Sequence, residues 1–330
     1  MIKNKVFSFN SQLYKITGVE KVLMDIHAAI KDNYDAKIVG TISFENVCKE
    51  HGIERNEYVK LWNPLLFYHS IVIVHERKYL LLFWLLNHLL FQKIKIVYIH
   101  HSMLSGYKYI TIMPKHIVCI SDRGKENLIS YFKVPESHIT KIHNCVKDIN
   151  PAPHRFRKTD IIKILLPARI NDVKQQIEIV RHLRGKLSKN ICIHFAGIGP
   201  QCEDLKKIVE GDSQFLYLGF RNDIQLLLHE YDYMLLYSKH EGLSISLIEA
   251  AMTGTPVVCN DVGGNTEIVH DGENGFVVNS WDELIACLNN LEQISEEGYL
   301  HMSISGRTLY EEKFTYDRFR VNYLNLLQTL

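Results

Sequence analysis

Residues 161–166 read IIKILL, a short apolar run, and residues 174–184 read KQQIEIVRHLR, an amphipathic segment whose apolar positions have helical spacing. Short apolar runs keep alternating with amphipathic segments as far as residue 259: Ile191–Ala196, Cys202–Val209, Phe215–Leu218, Ile224–Glu230, Tyr233–Leu236, Leu247–Met252 and Pro256–Cys259. This alternation is typical of βαβ units. It predicts a parallel sheet covered by helices on both faces.

The first half of the chain follows the same pattern less cleanly. We predict strands there at Lys5–Phe9, Ala36–Val39, Ile71–Val74, Lys95–Ile99 and His116–Ile120. We predict helices at Val19–Lys31 and Lys125–Phe132. Two prolines and three basic residues interrupt the periodicity at 151–160, which we interpret as a linker. The predicted fold class is α/β, with two Rossmann-like, doubly wound domains (1–150 and 161–312) facing across a cleft. In such sheets, ligands bind beyond the carboxyl ends of the strands.

Composition excludes several classes of protein. The 330 residues are 46% hydrophobic and 23% charged, which fits two globular domains and excludes a disordered or collagen-like chain. Seven scattered cysteines without a C-x-x-C pair indicate a reduced, cytoplasmic chain without structural zinc. Met1–Ser11 lacks an apolar stretch of signal-peptide length.

Charge is divided unevenly along the chain. Residues 1–150 carry 20 Lys and Arg against 13 Asp and Glu, whereas residues 151–330 carry 18 against 24. The basic half predicts an anionic partner, and ordinary surface scatter is the alternative. The block Arg77–Lys95 is apolar with basic flanks, and it is either a helix that rests on an anionic membrane or a buried helix. Its longest apolar run, Tyr79–Phe91, is too short to span a bilayer, which takes about 20 residues.

The stretch 238–258, SKHEGLSISLIEAAMTGTPVV, carries two glutamates around a predicted strand-to-helix turn. Ser246 and Glu249 have the spacing of a capping box, which would give Glu249 a purely structural role. Glu241 has no such explanation. It precedes Gly242 at a predicted helix N-terminus, where a sugar or phosphate would dock on free amides.

These motifs, taken together, resemble the signature of retaining family 4 glycosyltransferases, which have the GT-B fold. The resemblance covers Glu241–Glu249 and continues through GTPVV at 254–258 and GGNTEIVHDGENGFVV at 263–278. LLPARINDVK at 165–174 matches the family's strand and loop with an Arg and a Lys five residues apart. FAGIGP at 195–200, FLYLGF at 215–220 and ITKIHN at 139–144 extend the similarity, which is weak before Ile139.

The resemblance implies roles for residues of the second domain, which would bind a nucleotide sugar. Arg169 and Lys174 would hold the donor diphosphate, the work that a divalent metal does in other glycosyltransferases. The sequence contains no Asp-x-Asp, so we expect no metal and no cofactor. Glu241 would bind the donor sugar ring, Glu249 the ribose and Arg221 the nucleobase. Gly242 and the backbone amides of Leu243 and Ser244 would complete the pocket wall.

In the first domain, which would bind the acceptor, the resemblance implies further contacts. Gly18 lies in a loop where a backbone amide would approach the diphosphate. Either His100 or His101 would lie near the donor sugar, because neighbouring residues on a strand point to opposite faces. We favour His100, and a packed histidine is the alternative. The segment 313–330 would be a helix that crosses back to the first domain.

We therefore expect a metal-independent, retaining hexosyltransferase that uses a UDP-sugar and a saccharide or lipid-linked acceptor in surface polysaccharide synthesis. The alternatives are a nucleotide-sugar epimerase of the same architecture and a catalytically silent nucleotide-sugar-binding subunit. We expect no nucleic-acid partner. We expect a cytoplasmic protein, with peripheral contact to the inner face of the cell membrane left open.

Overall fold

The computed structural model describes residues 4–153, 156 and 160–330. The chain divides into two compact units, 1–145 with 316–330 and 146–315. The strands are β1 Lys5–Phe9, β2 Asp35–Gly40, β3 Tyr58–Lys60, β4 Ile71–Val74, β5 Lys95–His100, β6 His116–Cys119, β7 Ile139–Lys141, β8 Ile162–Pro167, β9 Ile191–Ala196, β10 Phe215–Gly219, β11 Tyr233–Leu236, β12 Val257–Cys259 and β13 Gly275–Val277. The α-helices are α1 Gly18–Ile30, α2 Leu80–Leu89, α3 Asp122–Glu126, α4 Gln176–Leu183, α5 Cys202–Val209, α6 Ile224–Leu228, α7 Ile245–Thr253, α8 Trp281–Asn290, α9 Glu296–Lys313 and α10 Tyr316–Gln328.

The first unit is built on a parallel sheet with the strand order β3-β2-β1-β4-β5-β6-β7. Its central strand β4 reads IVIV and is buried at all four positions, because helices cover both faces of the sheet. Helix α10 belongs to this unit and packs against α1. It buries Phe319, Tyr323 and Leu327, which are spaced by four residues and therefore share one face.

The second unit has a parallel sheet with the order β10-β9-β8-β11-β12-β13. A core cluster packs against one face of this sheet, with fully buried side chains such as Ile164, Phe195 and Leu235. Burial of one such side chain contributes about 1.5–3 kcal/mol. The alternation of apolar and amphipathic segments in the sequence corresponds to the alternating strands and helices of this unit.

Each sheet has one point where the strand order reverses. In the first unit it lies between β1 and β4, and in the second between β8 and β11. The chain leaves these two strands in opposite directions, which opens a crevice at their carboxyl ends where ligands of such sheets bind. The loops that follow β1, β4, β8 and β11 are thus the places to look for functional side chains.

The predicted fold class is confirmed, and the elements differ from prediction mainly at their ends. The segment 125–132 is not one α-helix, because α3 ends at Glu126 and a π-helical turn, Asn127–Tyr131, follows. Residues 154, 155 and 157–159 of the predicted linker lie outside the described residues. Within the part of the chain that the structure describes, no helix is long and apolar enough to cross a membrane.

Candidate functional site

The second unit brings Lys174 and Glu241 together at the reversal point of its sheet. Lys174 lies in the loop after β8 and Glu241 in the loop after β11. The Lys174 ammonium group donates a hydrogen bond to Oε1 of Glu241, and the two side chains are 19% and 9% exposed. A cation and a carboxylate that lie 67 residues apart in sequence thus form one largely buried ion pair.

Local backbone geometry positions Lys174. The amide of Lys174 donates to the side-chain oxygen of Asn171 at 3.0 Å, which closes a tight turn before α4. Gln175 then has a φ of 57°, in the left-handed region, and its side-chain amide donates to the carbonyl of Tyr237 at 3.3 Å. The turn is therefore fixed at both ends to the strands on either side of the reversal point.

Glu241 is supported from behind by glycine. A Cβ atom on Gly263 would lie 2.2 Å from the carbonyl oxygen of Glu241, and Gly263 has a φ of 56°. The amide of Gly264 donates to the carbonyl of Gly242 at 2.7 Å. Only glycine permits this close approach at position 263.

Arg169 follows β8 and its side chain is exposed at the same edge of the sheet. Backbone hydrogen bonds of 3.0 Å hold its neighbours, from Ala168 to Ala196 and from Ile170 to Ile198. A Cβ atom on Gly199 would lie 2.0 Å from the carbonyl oxygen of Ile170. The backbone of Arg169 is thus fixed while its guanidinium group remains accessible.

A second ion pair joins the same two loops farther out. Lys239 donates to both carboxylate oxygens of Asp172 at 2.8 Å, and its amide donates to the carbonyl of Val173 at 2.8 Å. Both side chains of this pair are exposed. Exposed ion pairs contribute little to stability, typically about 0.2–1 kcal/mol. The pair is therefore a natural control for Lys174 and Glu241.

The structure corrects the capping-box interpretation of Glu249. Helix α7 begins at Ile245 with Ser244 as its N-cap, and the hydroxyl group of Ser246 lies 3.0 Å from that of Ser244. Glu249 is therefore the fifth residue of the helix, too far along it to close a capping box. One of its carboxylate oxygens accepts a 3.3 Å hydrogen bond from Gln225.

The other predicted donor residues surround this region of the second unit. Gly242 is half-buried, and Leu243 and Ser244 are buried immediately before α7. Arg221 forms a two-pronged ion pair with Asp223, with distances of 2.7 and 2.5 Å, in the turn before α6. The pair orients the guanidinium group of Arg221, which keeps more than a third of its side-chain surface exposed.

In the first unit, Gly18 is the exposed first residue of α1, and Thr17 caps the helix by accepting from the amide of Val19. The preceding loop is held by Glu76, which follows β4. Its carboxylate accepts from the amide and hydroxyl groups of Ser11 at 2.5 and 3.0 Å and from Gln12 at 3.0 Å. Burial raises the pKa of Glu76, but these hydrogen bonds outweigh it and hold that pKa below its usual range.

Sequence reasoning missed Glu76, although a signal was present. The stretch IVIVHER at 71–77 is a buried strand followed directly by polar residues, and such residues lie at the carboxyl edge of a parallel sheet. The carboxylate of Glu76 closes the reversal point of the first sheet by tying the loop after β1 to the loop after β4.

The structure reverses the expectation about the two histidines. His100 is 0% exposed, and its Nε2 lies 3.2 Å from the side-chain oxygen of Asn127 in the π-helical turn. His101 is partly exposed, and its Nε2 lies 3.0 Å from Nδ1 of His75. His100 was the wrong choice for the accessible residue, because its strand face is the one that α3 and the π-helical turn cover.

Desolvation is the main influence on the pKa of each of these three histidines. It lowers the pKa of His100 to about 4 and that of His101 to about 3, and it lowers the pKa of His75 well below its ordinary value. Among the described residues, no three His, Cys, Asp or Glu side chains form a group that could hold a metal ion. The metal independence of any reaction remains a prediction.

The second unit presents two cations on the loop after β8 and two carboxylates on the loop after β11 and on α7. Lys174 and Arg169 provide positive charge for a polyanion, and Glu241 and Glu249 provide acceptors for hydroxyl groups. This donor and acceptor set is suited to a phosphorylated sugar.

Comparison with known proteins agrees with this chemistry. Residues 162–293 match the family described as Glycosyl transferases group 1. The chain is 28% identical over 177 residues to the O-antigen biosynthesis glycosyltransferase WbnH of Escherichia coli, covering 54% of this chain and 50% of WbnH. It is 23% identical over 219 residues to the Escherichia coli UDP-Gal:alpha-D-GlcNAc-diphosphoundecaprenol alpha-1,3-galactosyltransferase, covering 59% of this chain and 56% of that enzyme. The chain thus spans about half the length of these curated relatives.

The structural likeness covers both units. The crystal structure of Anabaena Alr3699/HepE in complex with UDP matches with a TM-score of 0.82 at 17% identity, covering 99% of this chain and 100% of HepE. At this identity the likeness shows the fold alone. Residues 162–293 thus match the glycosyl transferases group 1, and the chain as a whole has the GT-B fold and is similar to glycosyltransferase enzymes.

Proposed function

We propose that the protein is a retaining, metal-independent glycosyltransferase that moves a hexose from a UDP-sugar to a saccharide or lipid-linked acceptor in surface polysaccharide synthesis. The observation that carries the proposal is the contact between Lys174 and Glu241 at the reversal point of the second sheet. It assembles a diphosphate-binding cation and a hydroxyl-binding carboxylate at the place where such sheets bind nucleotides.

The ion pair between Lys174 and Glu241 suggests how the donor binds. A UDP diphosphate carries more charge than one carboxylate, so it would draw the ammonium group of Lys174 away from Glu241. The carboxylate of Glu241 would then accept from hydroxyl groups of the sugar. Each group keeps the other in place until the donor arrives, which lowers the entropic cost of binding.

The proposed reaction exchanges one bond for another. The bond between the anomeric carbon and the β-phosphate oxygen breaks, and a bond from an acceptor hydroxyl oxygen to the same carbon forms. The hydroxyl proton passes to an oxygen of the departing diphosphate. Lys174 and Arg169 would stabilise the negative charge that develops on this leaving group, the role that a metal has elsewhere.

Two relatives support the choice of donor and acceptor classes. HepE was crystallised with UDP, and the Escherichia coli galactosyltransferase is named for UDP-Gal and for GlcNAc-diphosphoundecaprenol, a lipid-linked saccharide. We extend these classes to this chain as part of the proposal. A lipid-linked acceptor would place the enzyme at the cytoplasmic face of a membrane.

A donor screen with product mass as the readout tests the proposal. The purified chain is incubated with a panel of UDP- and GDP-sugars and membrane extract, with and without EDTA. We expect a product heavier by one hexose from a UDP-sugar, formed equally well in EDTA, with the anomeric configuration of the donor. Absence of product from every donor would contradict the proposed activity, and loss of product in EDTA would contradict metal independence.

Incubation with the UDP-sugar alone separates transfer from epimerisation, because an epimerase needs no acceptor. We expect the donor to be recovered as the same sugar. Conversion to an epimer would overturn the proposal in favour of the epimerase.

A further inference from the structure

Helix α2 leaves an apolar stripe on its outer surface. Leu81, Leu85 and Leu89 are spaced by four residues and so lie on one side of the helix, where Leu89 is 68% exposed. The stripe continues past the helix end with Phe91, which is 77% exposed. Ten helical residues make this stripe about 15 Å long.

The loop after β5 extends the apolar surface at the other end of α2. Tyr107, Tyr109 and Ile110 are all strongly exposed in this loop. Tyr107 and Ile110 share the lining of a cavity of about 360 Å³ with Leu80 and Leu81 of α2. We call this surface the α2 face. It consists of the half-buried Leu85 and six exposed side chains: Leu81, Leu89, Phe91, Tyr107, Tyr109 and Ile110.

Hydrogen bonds hold both ends of the α2 face in place. The guanidinium group of Arg77 donates to the carbonyl of Gly106 at 3.0 Å, which ties the loop to the start of α2. The side chain of Asn87 accepts from the amide of Ile94 at 2.8 Å and donates to its carbonyl at 3.1 Å. These two hydrogen bonds close a short loop in which Phe91 has a φ of 48°. The outward position of Phe91 is therefore fixed by the fold.

The sequence around the α2 face is rich in positive charge, and the acidic residue just before it, Glu76, pairs with Lys78 at 3.1 Å. Residues 77–121 contain six basic residues and no Asp or Glu: Arg77, Lys78, Lys93, Lys95, Lys108 and Lys115. Arg77 and Lys78 also line the cavity. A second copy of the chain would bring the same positive charges together, so the charge pattern disfavours self-association through this face. An anionic surface complements it.

We propose that the α2 face docks on an anionic lipid bilayer, with Leu89 and Phe91 inserted among the acyl chains and the surrounding lysines on the headgroups. Aromatic and leucine side chains bordered by basic residues are the pattern of helices that lie in a membrane interface. The inference rests on the proposed function only in that a lipid-linked acceptor brings the enzyme to a membrane. Docking itself needs no turnover.

Sedimentation of the full chain with vesicles tests the proposal. The vesicles are phosphatidylcholine alone or phosphatidylcholine with about a third phosphatidylglycerol, because anionic headgroups attract nearby basic residues. We expect at least about tenfold stronger binding to the anionic vesicles, weakened by salt because the attraction is screened. The double variant Leu89→Glu/Phe91→Glu lowers that binding at least about tenfold, since it removes the inserted side chains and repels the lipid.

The control is Ile304→Glu on α9, since Ile304 is 66% exposed and thus comparable to Leu89. We expect it to bind vesicles like the unmodified chain. Equal vesicle binding by the double variant and the control would overturn the docking proposal. So would a dimer of the unmodified chain that the double variant dissociates, because the face would then bind a second copy.

The outcomes separate docking from the proposed function. Transfer to a short, water-soluble acceptor should be the same in the double variant and in the unmodified chain. Sugar transfer without any vesicle binding contradicts docking alone. Salt-sensitive vesicle binding by a chain that transfers no sugar supports docking and contradicts the proposed function alone.

Discussion

The two units have the same sheet architecture but different chemistry at the carboxyl edges of their sheets. In the second unit the edge carries charged side chains: the largely buried ion pair of Lys174 and Glu241, and the exposed Arg169 after β8. In the first unit it carries the buried His75 and His100 and a carboxylate, Glu76, that already accepts hydrogen bonds from the neighbouring loop. A parallel sheet thus determines where polar residues gather, and the residue types there determine what can bind.

The comparisons with known proteins divide in the same way. The family match is confined to residues 162–293, within the second unit, whereas structural likeness to HepE covers 99% of the chain. Packing of a sheet is satisfied by many apolar sequences, while a charged site requires particular side chains. The first unit therefore shares its fold with relatives more than its sequence.

The largest expected effect comes from the charged edge of the second unit. Lys174→Ala and Glu241→Ala should each lower the rate of sugar transfer at least about 10²-fold, because in the proposed site each removes a group that would contact the donor in the transition state. The measurement is kcat/KM for the UDP-sugar, with the melting temperature as a check on folding. Full activity in either variant would contradict the site.

The matched control for these variants is Lys239→Ala. It breaks the exposed ion pair to Asp172, which joins the same two loops. We expect less than about a twofold change in kcat/KM, because an exposed pair contributes little to stability. A loss as large as that of Lys174→Ala would mean that loop geometry, and not the ammonium group of Lys174, limits the rate.

A smaller effect is expected at Glu249, which would accept from the ribose hydroxyl groups. Glu249→Ala should raise KM for the UDP-sugar roughly tenfold, since a hydrogen bond to a charged group contributes about 1.5–3 kcal/mol. Steady-state kinetics measures this, with Glu203→Ala on α5 as the control because Glu203 is exposed and pairs with Lys206. An unchanged KM would leave Glu249 without a donor contact.

The last prediction concerns the free energy of unfolding in acid, which should depend on His100 of the first unit. An unfolded histidine has a pKa near 6.5, whereas burial lowers that of folded His100 to about 4. As the pH falls from about 6.5 to about 4, the unfolded state binds the proton first, so His100 costs up to about 1.4 kcal/mol of stability per pH unit. His100→Gln should flatten this pH dependence in urea unfolding, and His301→Gln, at an exposed position on α9, should not. Equal slopes for the two variants would contradict the burial of His100 as a neutral group.

The sequence predicted most of the strands because their apolar runs are local signals. The predicted and observed bounds agree for β1, β4, β9 and β11. The short edge strands β3, β7 and β13 were missed, since three residues carry almost no periodicity and their pairing depends on the neighbouring strand.

The site was predictable where residue type and spacing carry the chemistry. The resemblance implied that Lys174 and Glu241 bind one donor, although their contact comes from neighbouring strands that the sequence cannot order. Alternation indicated that His100 and His101 point to opposite faces, but only the packing of α3 and the π-helical turn determines which face is covered. Glu249 was ambiguous because the start of a helix is uncertain by one or two residues.

Calorimetric titration of UDP tests the central claim most directly, because it requires neither an acceptor nor turnover. If Lys174 holds the donor diphosphate, the Lys174→Ala variant should bind UDP at least about tenfold more weakly than the unmodified chain, whereas Lys239→Ala should bind it equally well. Equal UDP affinity in all three proteins, or no measurable UDP binding by the unmodified chain, would contradict the account.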